Sequence, residues 1–180
     1  MRFETDRLLL RTLEASDLPI LKDYLVRNRP FLSEWEPIRT EEHFKDETLM
    51  GIIQNEAIGN ENKTLLSLYL FPRDEEKIIG NVVLSNIVRG PFQSCFLGYK
   101  LDEMAINKGF ITEAVKKVIE IAFETYELHR IEASIMPQNI RSIRVVEKLG
   151  FEYEGLSKKY LKINGEWEDH AHYAILNPNM

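Results

Sequence analysis

Cysteine is almost absent. The single one in 180 residues, Cys95, has no partner for an internal disulfide, which points to a reducing compartment. Long apolar runs are absent too, and nothing approaches the ~20 residues that a membrane-spanning helix needs. The N-terminal Met1-Arg2-Phe3-Glu4 lacks the charged-then-apolar layout of a secretory leader, so a cytoplasmic protein with no membrane partner is expected. Positive charge is in deficit, with 23 Lys and Arg against 29 Asp and Glu and a net charge of −6. That argues against direct nucleic-acid binding and suits a basic partner. Repeats, low-complexity tracts and linkers are missing, which predicts one domain over 1–180, long enough to bury a real core. His170 and His172 lie two apart on one strand face, but no Cys or third His stands at ligand spacing, so no metal is expected.

What the chain does have is a strand, a glycine-bearing turn and a helix in immediate succession between Phe96 and Phe123. Phe96 to Leu101 is a β-prone run. After Asp102-Glu103 and Met104-Ala105-Ile106 comes Asn107-Lys108-Gly109-Phe110-Ile111-Thr112, and the periodicity changes. Val115, Val118, Ile119, Ala122 and Phe123 share one helical face, with Lys116, Lys117, Glu120 and Glu124 opposite. A glycine turn leading straight into a helix directs unpaired N–H groups at one point, where the helix dipole adds positive potential. That suits a phosphate or pyrophosphate. It also describes an ordinary strand-to-helix turn, so the rest of the chain has to decide.

Ahead of this stretch, Glu4 to Thr12 reads as a first strand. A helix follows from a Ser16 cap, with Leu18, Leu21 and Leu25 as its stripe and Arg29-Pro30 as its stop. The loop Phe31-Leu32-Ser33-Glu34-Trp35-Glu36-Pro37 is aromatic enough for Phe31 and Trp35 to plug the core. Glu36 is either a plain exposed carboxylate or, beside a cleft, a base that takes a proton from an amine. A second helix opens at Thr40-Glu41-Glu42 and frays at Gly59-Asn60-Glu61-Asn62. Strands over Thr64–Phe71 and Ile78–Val88 lead to the central stretch. Meandering antiparallel strands followed by a strand–helix–strand crossover predict a mixed α/β (α+β) sheet with helices on its faces.

Beyond the central helix, His129 to Met136 alternates as a strand. Asn139 then caps a helix that ends at Leu149-Gly150. Ser142 shares a face with Val145, Val146 and Leu149, as the one polar residue there. A small residue filling a tight contact is one reading of Ser142, and a plain cap is one reading of Asn139. Together with the anion-binding turn, they point at one cleft. The chain closes in a hairpin around Asn164-Gly165, whose residues both tolerate positive φ.

Four segments resemble the RimJ/RimL branch of the GNAT acetyltransferases, most of all its RimJ-type ribosomal-protein-alanine N-acetyltransferases. They are Thr5-Asp6-Arg7-Leu8, Phe31 to Pro37, Ile78 to Tyr99, and His129 to Gly155 with the following Ile163 to His170. Ile106 to Ile111 occupies that family's coenzyme-binding motif, Gln/Arg-x-x-Gly-x-Gly/Ala, and keeps only Gly109. The resemblance implies a GNAT-like mixed, mostly antiparallel seven-stranded sheet with helices on both faces. It implies acetyl-CoA as donor and a free amine as acceptor, most directly the N-terminal α-amine of a basic ribosomal protein. It further implies that Asn107, Lys108, Gly109, Phe110, Ile111, Thr112 and Asn139 face the coenzyme and that Ser142 lies near the thioester sulfur. Leu161 stands where some RimL-type enzymes carry a glutamate, which leaves Glu36 as the candidate base.

An α-amine has a pKa near ~7.7–8.0, so a useful fraction is neutral at cell pH and a base has only to collect a proton late. The oxyanion needs an aimed donor, and a backbone N–H on the strand ending at Leu101 is the expected one. No metal is required. Two other readings remain open: an acetyltransferase for a small amine or aminoacyl compound, and a non-catalytic coenzyme-binding or ribosome-assembly module. The chain is expected to act as a monomer or a homodimer.

Overall fold

The computed structural model describes residues 1–180. Its strands are β1 (Arg2–Glu4), β2 (Leu8–Arg11), β3 (Leu66–Pro72), β4 (Gly80–Val88), β5 (Ser94–Leu101), β6 (Arg130–Ile135), β7 (Glu152–Ile163) and β8 (Glu166–Leu176). Its helices are α1 (Leu18–Leu32), α2 (Asp46–Glu61), α3 (Phe110–Glu124) and α4 (Ile140–Lys148). All the strands form one sheet in the order β1-β2-β3-β4-β5-β6-β8-β7. Only the β5–β6 pair is parallel, joined by the crossover through α3.

Alternation along β3 shows how the two faces are filled. Leu66, Leu68 and Leu70 enter one core with Ala114, Val115, Val118 and Ala122 of α3. Tyr69 and Phe71 point the other way, into a second core with Leu21 and Tyr24 of α1 and Leu49 and Ile53 of α2. The stripe read for the central helix is the one that packs.

The sheet has eight strands rather than seven. The segment read as one strand, Glu4 to Thr12, folds back on itself, pairing Glu4 with Leu9. Thr5 makes the turn, its N–H donating to the Leu8 carbonyl at 2.9 Å while its hydroxyl accepts from the Leu8 N–H at 3.1 Å. Helix α1 does not stop at Pro30. It runs through the proline to Leu32, which is buried, so packing offsets the lost N–H. Residues Glu41–Phe44 form a 3-10 turn of their own, and α2 begins only at Asp46. Helix α2 also continues through the expected fraying point. The buried Asn60 side chain donates to the Glu56 carbonyl at 2.8 Å and accepts from the Ser67 N–H at 3.0 Å, tying the helix end to β3.

Candidate active site

β5 and β6 pair only where Ser94–Phe96 lies beside Arg130–Glu132. Past that point they separate, because each stays paired to its other neighbour: β5 to β4 as far as Leu101, and β6 to β8 as far as Ile135. The gap is the middle of a cavity of about 940 Å³, large enough for an extended small ligand. Leu97 to Leu101 form one wall and Ser134 to Met136 the other. The Asp102 N–H bonds the Ile79 carbonyl at 2.7 Å, on the β4 side. By antiparallel alternation, the N–H groups of Tyr99 and Leu101 point away from β4 and into the gap.

On the α3 side the cavity is bounded by Ile106, Asn107, Gly109, Ile111 and Thr112. Asn107 and Gly109 both take left-handed conformations, with φ of 61° and 79°. The first α-helical bond of α3 runs from the Glu113 N–H to the Gly109 carbonyl, so the N–H groups of Phe110, Ile111 and Thr112 have no backbone partner. A dipole end with free donors beside a roomy cavity fits a pyrophosphate. Lys108 and Phe110 do not line the cavity. The Lys108 carbonyl accepts from Arg7 Nη1 at 2.9 Å, and the Phe110 ring lies 4.6 Å below the same guanidinium. Ile106 stands at the edge of this loop, and its apolar side chain removes none of the loop's backbone N–H donors.

Asp102 holds the approach to that loop. It is 2% exposed and accepts from the Met104 N–H, Arg27 Nε and Asn28 Nδ2 at 2.9, 2.8 and 3.2 Å. Burial pushes its pKa up, but those donors outweigh it and leave the carboxyl below its usual range.

Helix α4 supplies the middle of the site. The Asn139 Oδ1 accepts from the Ser142 N–H at 3.1 Å as an N-cap, which leaves Nδ2 free to donate. Both residues line the cavity, and the Ser142 hydroxyl has no protein partner. Tyr99, across the gap, donates its hydroxyl to the Ser142 carbonyl at 2.8 Å and fixes the first turn of α4 against β5. Burial raises the Tyr99 pKa, so the phenol stays a donor.

The opposite face is closed by the loop after α1 and by the β7–β8 hairpin. Phe31 and Trp35 are half-buried cavity walls and belong to neither core. Glu36 also lines the cavity, but Lys100 on β5 is ion-paired with its Oε1, and Arg39 lies 3.9 Å from Oε2. The hairpin turn is pinned to this loop by the Asn164 N–H, which donates to the Glu36 carbonyl at 2.8 Å. His170, 3% exposed, stands on the same side with Nδ1 3.1 Å from the Glu168 carbonyl. No group of three or more His, Cys, Asp or Glu side chains is arranged to hold a metal ion, and no helix is long and apolar enough to cross a membrane.

Reading the sequence brought together Glu36, Leu101, the loop, Asn139 and Ser142, and all of them border or support one cavity. It missed Tyr99, Lys100 and Arg7. Tyr99 and Lys100 sit on the strand already singled out, and strand alternation alone sends one to each face of the gap. Arg7 lies in Thr5-Asp6-Arg7-Leu8, a segment quoted for its resemblance without a role.

Residues 7–152 match the family model described as "Acetyltransferase (GNAT) domain", and the chain belongs to the GNAT acetyltransferases. Within that family it is 40% identical to the "[Ribosomal protein uS5]-alanine N-acetyltransferase" of Escherichia coli (strain K12), over 99% of this chain and 92% of that one. The structure superposes on the ribosomal-protein-S5-alanine acetyltransferase from Vibrio fischeri with a TM-score of 0.94 and 36% identity, covering 99% and 98% of the two chains. It also superposes on Mycobacterium smegmatis RimJ in complex with CoA-disulfide, with a TM-score of 0.89 and 25% identity over 96% and 83%.

Proposed function

We propose that the protein transfers an acetyl group from acetyl-CoA to the N-terminal α-amine of a protein, with a basic ribosomal protein as the acceptor class. The observation that carries this reading is the cavity through the sheet. Its α3 and α4 side has the free N–H groups that suit a pyrophosphate, and its other side is walled by Phe31, Trp35 and Glu36 of the loop after α1 and by His170 of the hairpin. The activities of relatives at 36% and 40% identity point to the same acceptor class. A net charge of −6 favours a basic acceptor. Residues 1–180 act as one domain in the cytoplasm, where ribosomes are assembled, without contacting nucleic acid directly.

Each residue then has a part. The N–H groups of Phe110, Ile111 and Thr112 receive the pyrophosphate, with Asn107 and Gly109 shaping the turn and Lys108 anchored to Arg7. Asn139 Nδ2 donates to the coenzyme. The Leu101 and Tyr99 N–H groups face the thioester carbonyl, where charge develops. The Ser142 hydroxyl donates a hydrogen bond to the departing sulfur. Lys100 is ion-paired with Glu36, so Glu36 serves to draw the cationic terminus towards the cavity, where the fraction of the amine that is neutral at cell pH reacts.

Acetyl-CoA turnover tests this reading, with peptides that begin with alanine and carry basic residues set against small amines. Turnover confined to free peptide N-termini is expected. Turnover of small amines alone overturns the acceptor assignment, and no turnover with either overturns catalysis.

A further inference from the structure

Acetylation needs a group to take one proton from the acceptor nitrogen after it has bonded to carbon. Glu36 is engaged by Lys100 and Arg39. The cavity wall carries one histidine, His170, on β8, whose neighbour β6 supplies Ser134 and Met136 to the same wall. A carbonyl oxygen only accepts, so the 3.1 Å contact with the Glu168 carbonyl requires a proton on Nδ1. In the neutral ring, Nε2 then keeps its lone pair, and no protein group donates to it. A ring 3% exposed with one nitrogen unpartnered is aimed at something the protein does not supply.

The neighbouring His172 shows the contrast. It lies on the same strand face, yet both its nitrogens are engaged, Nδ1 at 3.2 Å from Ser134 Oγ and Nε2 at 2.9 Å from Ser157 Oγ. His172 is built into the hairpin, and His170 is left open. The charged and titratable groups that line the same cavity as His170 are Glu34, Glu36, Arg39, Tyr99, Lys100, Arg141 and Arg144, and the Tyr160 ring of its own hairpin lies 5.7 Å away. The Asn164–Glu36 bond ties the hairpin that carries His170 to the loop after α1.

We propose that His170 Nε2 is the proton acceptor of the transfer, a role that rests on the acetyltransferase reading above. The acceptor nitrogen bonds to the acetyl carbon and the carbon–sulfur bond breaks. One nitrogen-bound proton passes to Nε2, giving an imidazolium that later returns it to solvent. The thiolate leaves against the Ser142 hydroxyl and is reprotonated from solvent, so the step balances without a further reactant.

Three measurements test it. His170→Asn keeps a donor near the Nδ1 position, and so the Glu168 contact, while deleting Nε2. The expected result is a kcat lower by ~100-fold or more, with the KM for acetyl-CoA and the melting temperature nearly unchanged. The acidic limb of the kcat profile should also be lost. His170→Gln puts a non-basic amide near Nε2 and should be as slow; if it works like the wild type, the ring is only a hydrogen-bonding group and the proposal falls. Nitrogen-15 NMR of the wild-type imidazoles should show the Nδ1–H tautomer for His170 at pH 8, and the Nε2–H tautomer overturns the proposal without reference to any acceptor. If the wild type acetylates small amines but no peptide, the acceptor assignment fails, while these same variants measured on the small amine still decide His170.

Discussion

Arg7 and Glu113, 106 residues apart, meet at 2.7 Å through Nε and Oε2. The Arg7 N–H and the Thr5 hydroxyl reach the other carboxylate oxygen at 2.9 and 2.6 Å. The turn between β1 and β2 is thereby bolted to the first turn of α3. The same guanidinium holds the Lys108 carbonyl and covers Phe110, so the loop that presents free N–H groups is braced from behind.

Arg7→Leu should therefore raise the KM for acetyl-CoA and lower stability by about 1–2 kcal/mol, the scale of a charge-assisted hydrogen bond plus its neighbours. Burial pushes the Glu113 pKa up, but hydrogen bonds from Thr5 and Arg7 bring it below its usual value. A lowered carboxylate pKa stabilises the fold above the unfolded value of about 4.3, and that contribution is lost as pH falls through the folded value. The stability gap between wild type and Arg7→Leu should thus be full at pH 7 and narrow as pH falls through the lowered Glu113 value, leaving the share that comes from Lys108 and Phe110. Urea unfolding across that range checks the sign, and a gap that widens on acidification contradicts it.

Gly109 takes φ of 79° at the N-cap of α3, and a Cβ there would lie 3.4 Å from Arg7 Nη2. For Gly109→Val we expect a backbone cost of about 1–2 kcal/mol and weaker acetyl-CoA binding, with the fold retained. Calorimetric titration beside circular dichroism separates the two effects. Unchanged affinity in a folded variant removes the loop from the coenzyme site.

Ser142→Ala should leave stability within about 1 kcal/mol, since its hydroxyl has no protein partner to lose. If the hydroxyl assists the sulfur, kcat and kcat/KM fall together. Asn139→Ala should cost about 1 kcal/mol through the lost cap and raise the KM for acetyl-CoA. Steady-state kinetics and thermal melting on both variants distinguish them. A fully active Ser142→Ala enzyme makes Ser142 a packing residue.

Glu36→Gln frees Lys100 and removes the negative charge at the acceptor mouth. The KM for a peptide acceptor should rise several-fold, more at low ionic strength than at high, while kcat holds. A fall of ~100-fold in kcat with an altered acidic limb would return Glu36 to the role of base.

Regular patterns carried most of the fold. The α3 stripe, the alternation of β6, the Asn139 cap and the Asn164-Gly165 hairpin are local signals, and each appears where periodicity or turn chemistry places it. The misread positions are those where distant contacts override local propensity: the buried Leu32 carries α1 past Pro30, and the Asn60–Ser67 bond holds α2 through its glycine. The site was legible wherever it rests on backbone geometry, as at Gly109. Lys100 against Glu36, or one histidine satisfied and its neighbour not, depends on which strands are adjacent, and no spacing along the chain encodes that.

The parting of β5 from β6 also sets the kinetic order of events. On the proposed reading, donor and acceptor approach from opposite sides of one sheet, so neither has to leave before the other arrives. The only thiol, Cys95, is 1% exposed and its pKa is pushed by burial to about 12, so it is a poor nucleophile and stores no acyl group between half-reactions. Initial-rate plots for this protein should accordingly intersect, as they do for enzymes that assemble both substrates before any bond changes hands.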